Sequence, residues 1–137
     1  MRKIFVDISY WIAVLNSTDS LHNFANNLTL ELFPCKLVTS ELILNELLNH
    51  YSGSGSRFRE TTVNLIRQIQ EDENMEVVPM TSQLFTSAFQ LYAQRQDKAW
   101  SHTDCSSFCI MEELGITEAL TYDKHFEQAG FVALLRS

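Results

Sequence analysis

Two periodicities divide this chain. Short apolar runs at residues 3–7, 36–39, 75–79, 118–122 and 131–134 read as strands. Helical stripes lie between them. Leu21, Phe24, Ala25, Leu28 and Leu32 recur at i, i+3, i+4, i+7 and i+11, with Asp19 or Ser20 as a start signal and Pro34 beyond the end. Leu84, Phe85, Ala88, Phe89 and Tyr92 form a second stripe, capped by Thr81 or Ser82. Residues 103–114 are apolar around most of a helical circumference, broken by Ser106, Glu112 and Glu113, which predicts a largely buried helix. Strands that alternate with helices imply βαβ units, hence an α/β fold with a parallel sheet.

The chain has 137 residues, 45% of them hydrophobic, which suits one compact domain over residues 1–137. No repeat or internal boundary interrupts it. The Ser-Gly segment 52–56 reads as a flexible loop; it lacks the Gly-Lys-Ser/Thr ending of a phosphate-binding loop. The longest early apolar run, residues 10–15, is far too short to span a bilayer, so the expectation is a soluble cytoplasmic protein with no membrane partner. Three cysteines, Cys35, Cys105 and Cys109, argue against a disulfide framework. Cys105, Cys109 and His102 have zinc-like spacing but no obvious fourth ligand, and buried thiols are the expected state.

The formal net charge of −7 weighs against a protein that grips phosphate backbones unaided. It implies weak substrate binding, or help from a partner or second subunit. Tyr10, Trp11, Phe24, Tyr51 and Phe58 flank the early helices and the 52–56 loop as candidate interface anchors, with core packing as the ordinary alternative.

Part of the charge comes from four acids in telling places. Asp7 and Asp123 each end a strand pattern, Glu46 projects between Leu42 and Ile43 on an apolar helix face, and Asp104 opens a helix. Ligands of open α/β sheets bind beyond the carboxyl ends of the strands, so these acids can converge there. Two unit charges about 4.5 Å apart repel by roughly 4 kcal/mol at an effective dielectric near 20. A divalent cation relieves that repulsion, and oxygen donors favour Mg²⁺ or Mn²⁺. Each acid has an ordinary alternative: helix capping for Asp7, Asp104 and Asp123, and a local pair with His50 for Glu46. Jointly they point to metal-assisted phosphodiester chemistry.

The segments that carry these acids resemble the PIN-domain family. Phe5-Val6-Asp7-Ile8-Ser9 is similar to its opening motif, and Thr39-Ser40-Glu41-Leu42-Ile43-Leu44-Asn45-Glu46 to its second. Trp100-Ser101-His102-Thr103-Asp104-Cys105-Ser106-Ser107-Phe108 resembles the third, and Thr121-Tyr122-Asp123-Lys124-His125-Phe126 the fourth. The likeness covers essentially the whole chain and is nearest to small VapC-type toxins. Ile8 departs from the pattern, since Thr or Ser is common there; Ser9 retains a hydroxyl nearby.

The resemblance implies a three-layer α/β/α fold with a five-stranded parallel sheet of order 3-2-1-4-5. It implies an Mg²⁺-dependent endoribonuclease, a homodimer, and an antitoxin that blocks the site. Asp7, Asp104, Asp123 and Glu46 would be catalytic and metal-binding, with Ser9, Thr103 and Thr121 fixing carboxylate rotamers. Lys124 and His125 are candidate phosphate contacts or plain surface residues. A haloacid-dehalogenase-like phosphatase would need a second Asp where Ser9 stands, and a receiver domain would need an acidic pair after the first strand. A catalytically silent RNA- or protein-binding module is the remaining alternative.

Overall fold

Ile4, Phe5 and Val6 have no exposed surface, as expected of a strand covered on both faces by helices. In the computed structural model, which describes residues 1–136, they form β1 (Lys3–Val6), the central strand. β2 (Lys36–Ser40) pairs on one side of it and β4 (Glu118–Leu120) on the other. β3 (Met75–Val78) lies outside β2, and β5 (Val132–Ala133) outside β4. All pairings are parallel and the order is β3-β2-β1-β4-β5, as the family resemblance implies. Four of the five strands are shorter than their apolar runs, and β2 extends one residue further, to Ser40. β1 stops at Val6 and β4 at Leu120, which releases Asp7 and residues 121–123 from the ladder.

The helices are α1 (Ile8–Leu15), α2 (His22–Leu32), α3 (Glu41–His50), α4 (Ser56–Glu71), α5 (Ser82–Gln94), α6 (His102–Leu114) and α7 (Lys124–Gln128), followed by a 3₁₀ turn over Leu134–Arg136. They flank the sheet and complete the α/β/α arrangement. α4 adds a helix beyond the stripes recognised in the sequence. Its Phe58, Thr62, Leu65, Ile66 and Ile69 line one face, with Thr62 and Ile69 buried. Gly55, at φ +96°, makes the turn into it, a conformation open to few other residues.

The stripe on α5 divides. Ala88 is buried and Leu84 and Leu91 pack against the core, whereas Phe85, Phe89 and Tyr92 are 53, 57 and 54% exposed. The reason is angular. The i, i+4, i+7 set of Phe85, Phe89 and Tyr92 forms its own row, beside the one facing the core. The expected anchors behave in the opposite way. Tyr10, Trp11 and Tyr51 are buried, Tyr51 stacks on Phe58 with ring centroids 5.0 Å apart, and of the five only Phe24 is substantially exposed. These rings serve mainly as core, and the exposed aromatic row lies on α5 instead. α6 is buried along Cys105, Phe108, Ile110 and Met111, as its composition predicts. Among the described residues no helix is long and apolar enough to cross a membrane.

After β1 the chain builds outward through β2 and β3, then crosses back to place β4 on the other side of β1. The carboxyl ends of β1 and β4 are therefore adjacent at the point where strand order reverses, where α/β sheets place their ligands.

Candidate active site

Asp7 leaves β1 with its amide bonded to the Leu120 carbonyl at 3.2 Å. This ties the first residue beyond β1 to the end of β4. Asp7 occupies the N-cap position of α1, yet its side chain makes no capping bond. Its Oδ2 accepts from Thr121 Oγ1 at 2.8 Å. Thr121 Oγ1 also accepts from the Asp123 amide at 3.0 Å and lies 3.3 Å from Ser9 Oγ, which accepts from the Tyr122 amide at 3.0 Å. One buried hydroxyl thus sets the Asp7 rotamer and shapes the turn that delivers Asp123.

Asp123 and Asp104 combine helix capping with a place in the cluster. Asp123 is the N-cap of α7, its Oδ1 accepting from the His125 amide at 2.9 Å. Asp104 closes a capping box on α6: its amide donates to Ser101 Oγ and its Oδ2 accepts from the Ser101 amide, both at 3.0 Å. His125 spans the two acids, with Nδ1 3.1 Å from Asp104 Oδ2 and 3.3 Å from Asp123 Oδ1. One ligand atom from each of Asp104, Asp123 and His125 lies within 4.8 Å of the others. The sequence raised His125 as a phosphate contact or a plain surface residue, not as a neighbour of the acids. Its place two residues after a capping Asp, which binds its amide, was the available signal.

Asp7 stands apart from that trio but feels it. Burial pushes its carboxyl up to about 7; the Thr121 hydroxyl and Ile8 amide pull it down, and the charges of Asp104 and Asp123 add to the rise. With only 5% of its surface exposed, an ionised Asp7 is poorly hydrated and faces two further acids.

Glu46 joins through a different link. Its Oε1 accepts from Thr103 Oγ1 at 2.8 Å, which ties α3 to the first turn of α6, one residue before Asp104. The alternative pairing with His50 is not adopted: the His50 ring packs edge-on against Tyr51, centroids 4.6 Å apart. Glu46 is outside the close trio.

The zinc-like trio takes no such form. Cys105 is buried, with its thiol pushed up to about 11 by burial first and then by the Asp104 and Cys109 charges. The His102 ring lies 4.5 Å from that of Phe85. Carboxylates dominate the donors around Asp7, Asp104 and Asp123, with one imidazole. Such a set, holding a desolvated acid beside two others, fits a hard divalent cation such as Mg²⁺ or Mn²⁺.

An open parallel sheet of this order, with acids gathered at its switch point, defines the class. The chain belongs to the PIN-domain family, whose sequence model matches residues 4–132. Among its relatives is the 23S rRNA-specific endonuclease VapC20 of Mycobacterium tuberculosis, in two strains. It is 30% identical over 132 residues, which cover 94% of this chain and 95% of the relative. The crystal structure of Mycobacterium tuberculosis VapC20, a sarcin–ricin-loop-cleaving toxin, matches with a TM-score of 0.84 at 28% identity, covering 94% of this chain and 96% of that one.

Proposed function

We propose that this protein is a metal-dependent endoribonuclease that hydrolyses RNA phosphodiester bonds, the toxin of a toxin–antitoxin module. The observation that carries the reading is the gathering of Asp7, Asp104 and Asp123 at the switch point of a chain similar over 94% of its length to a VapC endonuclease. Residues 1–137 act as one catalytic domain, working in the cytoplasm.

Asp7, Asp104 and Asp123 would hold one or two Mg²⁺ ions, directly or through water, and Mn²⁺ would suit the same donors. When bound, the ion supplies an activated water and offsets charge on the phosphate oxygens. Thr121 holds Asp7 in the orientation that binding needs, and Ser9 steadies Thr121. Thr103 holds Glu46 as a further ligand or as the group that orients the attacking water. His125 keeps Asp104 and Asp123 close by bridging their facing oxygens.

The partners follow from the charge. An acidic pocket is suited to a basic side chain from an antitoxin, which would neutralise the carboxylates and compete with the metal. The protein acts as a homodimer in this reading, and the exposed Phe85, Phe89 and Tyr92 row is the apolar surface best suited to a second copy.

The test is cleavage of a sarcin–ricin-loop RNA hairpin, the element cut by the relative, with Mg²⁺ or with EDTA. Cleavage that needs the metal and is lost in Asp104→Asn supports the reading. Binding without cleavage, at any divalent ion tried, would replace it with the silent-module alternative.

A further inference from the structure

RNA that reaches this cluster meets few cations, since the chain carries 10 Lys and Arg against 17 Asp and Glu. Contacts to phosphate supply most of the affinity of basic nucleic-acid binders. An acidic protein must gain it otherwise, and the sequence-tolerant means is stacking of bases on aromatic rings.

Tyr122 is placed for that task. It lies between Thr121, which binds Asp7, and Asp123, so its backbone runs beside the carboxylate cluster. Half of its surface is exposed. Its backbone is held at both ends: the amide donates to Ser9 Oγ at 3.0 Å and the carbonyl accepts from Arg136 Nη1 at 3.1 Å. The Arg136 guanidinium carbon lies 5.2 Å from the ring centroid, and its Nε donates to Glu127 Oε1 at 2.9 Å. A flat cation is thus pinned against the ring by two hydrogen bonds, a geometry in which it attracts the aromatic face.

We propose that Tyr122, backed by Arg136, is a stacking platform for the nucleobase next to the scissile phosphate. The proposal rests on the endoribonuclease reading and deepens it, making Tyr122 a residue that positions RNA. It implies that the cut falls where a base is unpaired or can swing out, as in a hairpin loop, because a paired base has no free face to offer. The ordinary alternative is a surface tyrosine covered by a neighbouring arginine. The two differ in what the ring contributes once RNA is present. Both backbone anchors survive a change of side chain, so the ring can be altered without undoing the turn.

Two measurements test it. In cleavage of the sarcin–ricin-loop hairpin with Mg²⁺, Tyr122→Leu should raise KM about tenfold or more and leave kcat much less affected, while Tyr122→Phe stays close to the wild type. A Tyr122→Leu enzyme with wild-type KM overturns the platform. In the Asp104→Asn background, Tyr122→Trp adds an indole to a protein whose Trp11 and Trp100 are both buried. Its emission should be quenched by the hairpin, and less so by a hairpin lacking bases in the loop. Binding of the hairpin, followed by anisotropy, without such quenching overturns the platform and leaves the nuclease reading standing. Quenching by RNA in a protein whose wild type cleaves nothing removes the nuclease reading, and the scissile phosphate with it, and supports Tyr122 as a base-stacking residue of an RNA-binding module.

Discussion

Asp7→Asn should make the metal-free protein more stable while destroying its activity. The substitution removes the charge but keeps an oxygen that can accept from Thr121 Oγ1. In the folded protein the Asp7 carboxyl is raised from 3.8 to about 7, chiefly by burial. A rise of that size corresponds to about 4 kcal/mol between the protonation states, which is the ceiling on the effect. The sign follows from proton uptake. Between pH 3.8 and about 7 the folded state holds a proton that the unfolded state has released. Wild-type stability therefore falls as pH rises through that window and levels off above it. Asn has no such slope. In EDTA the variant should nearly match the wild type near pH 4 and exceed it at pH 8, by a few kcal/mol at most. For a domain of this size that is a rise in Tm of several degrees, roughly 3–10 °C. Thermal and urea melts at the two pH values measure it. Mg²⁺ should then raise the Tm of the wild type more than that of the variant. A variant whose advantage is the same at both pH values, or which is less stable at pH 8, would refute the argument.

Other consequences are as direct. Asp104→Asn should abolish cleavage while costing at most about 1 kcal/mol of stability, because Asn can still accept from the Ser101 amide; gel-based cleavage assays beside thermal melts check both halves. Thr121→Val should lose roughly 1–3 kcal/mol, since it leaves a buried carboxylate and the Asp123 amide without their partner, and cleavage should drop with it; wild-type activity in this variant would rule out a rotamer-setting role. Phe89→Glu should weaken self-association in sedimentation experiments at micromolar concentration and leave the α/β fold intact by circular dichroism. A wild type that sediments as a monomer there would remove the proposed dimer surface.

The sheet was legible because its strands are buried on both faces and read as unbroken apolar runs, Ile4-Phe5-Val6 most plainly. The order of strands was not written in those runs and entered through the motifs. Asp7, Asp104 and Asp123 were legible because strand ends and helix starts are marked locally. The neighbour shared by Asp104 and Asp123, His125, was harder: its Nδ1 meets Asp104 from 21 residues away, a relation that no local pattern records. The link from Thr103 to Glu46 spans 57 residues and was equally hidden. α4 is faint in the sequence because Arg, Glu, Thr and Gln surround a sparse apolar row, two of whose members are Thr62 and Phe58. The outward face of α5 is hidden for another reason: a stripe at helical spacing tells which residues share a side and not what lies opposite.

The bond between Thr121 and Asp7 joins residues 114 positions apart, and β4 reaches β1 only after three strands and six helices have been made. Domains take shape from the amino end during synthesis, and contacts this distant in sequence are slow to form. A chain that stops before residue 118 lacks β4, Asp123, the Thr121 hydroxyl that holds Asp7, and the His125 that bridges Asp104 and Asp123. Under the nuclease reading, partial products of translation are harmless to the cell that makes them, and the capacity to cut RNA arises only once β4 and the turn beyond it have left the ribosome.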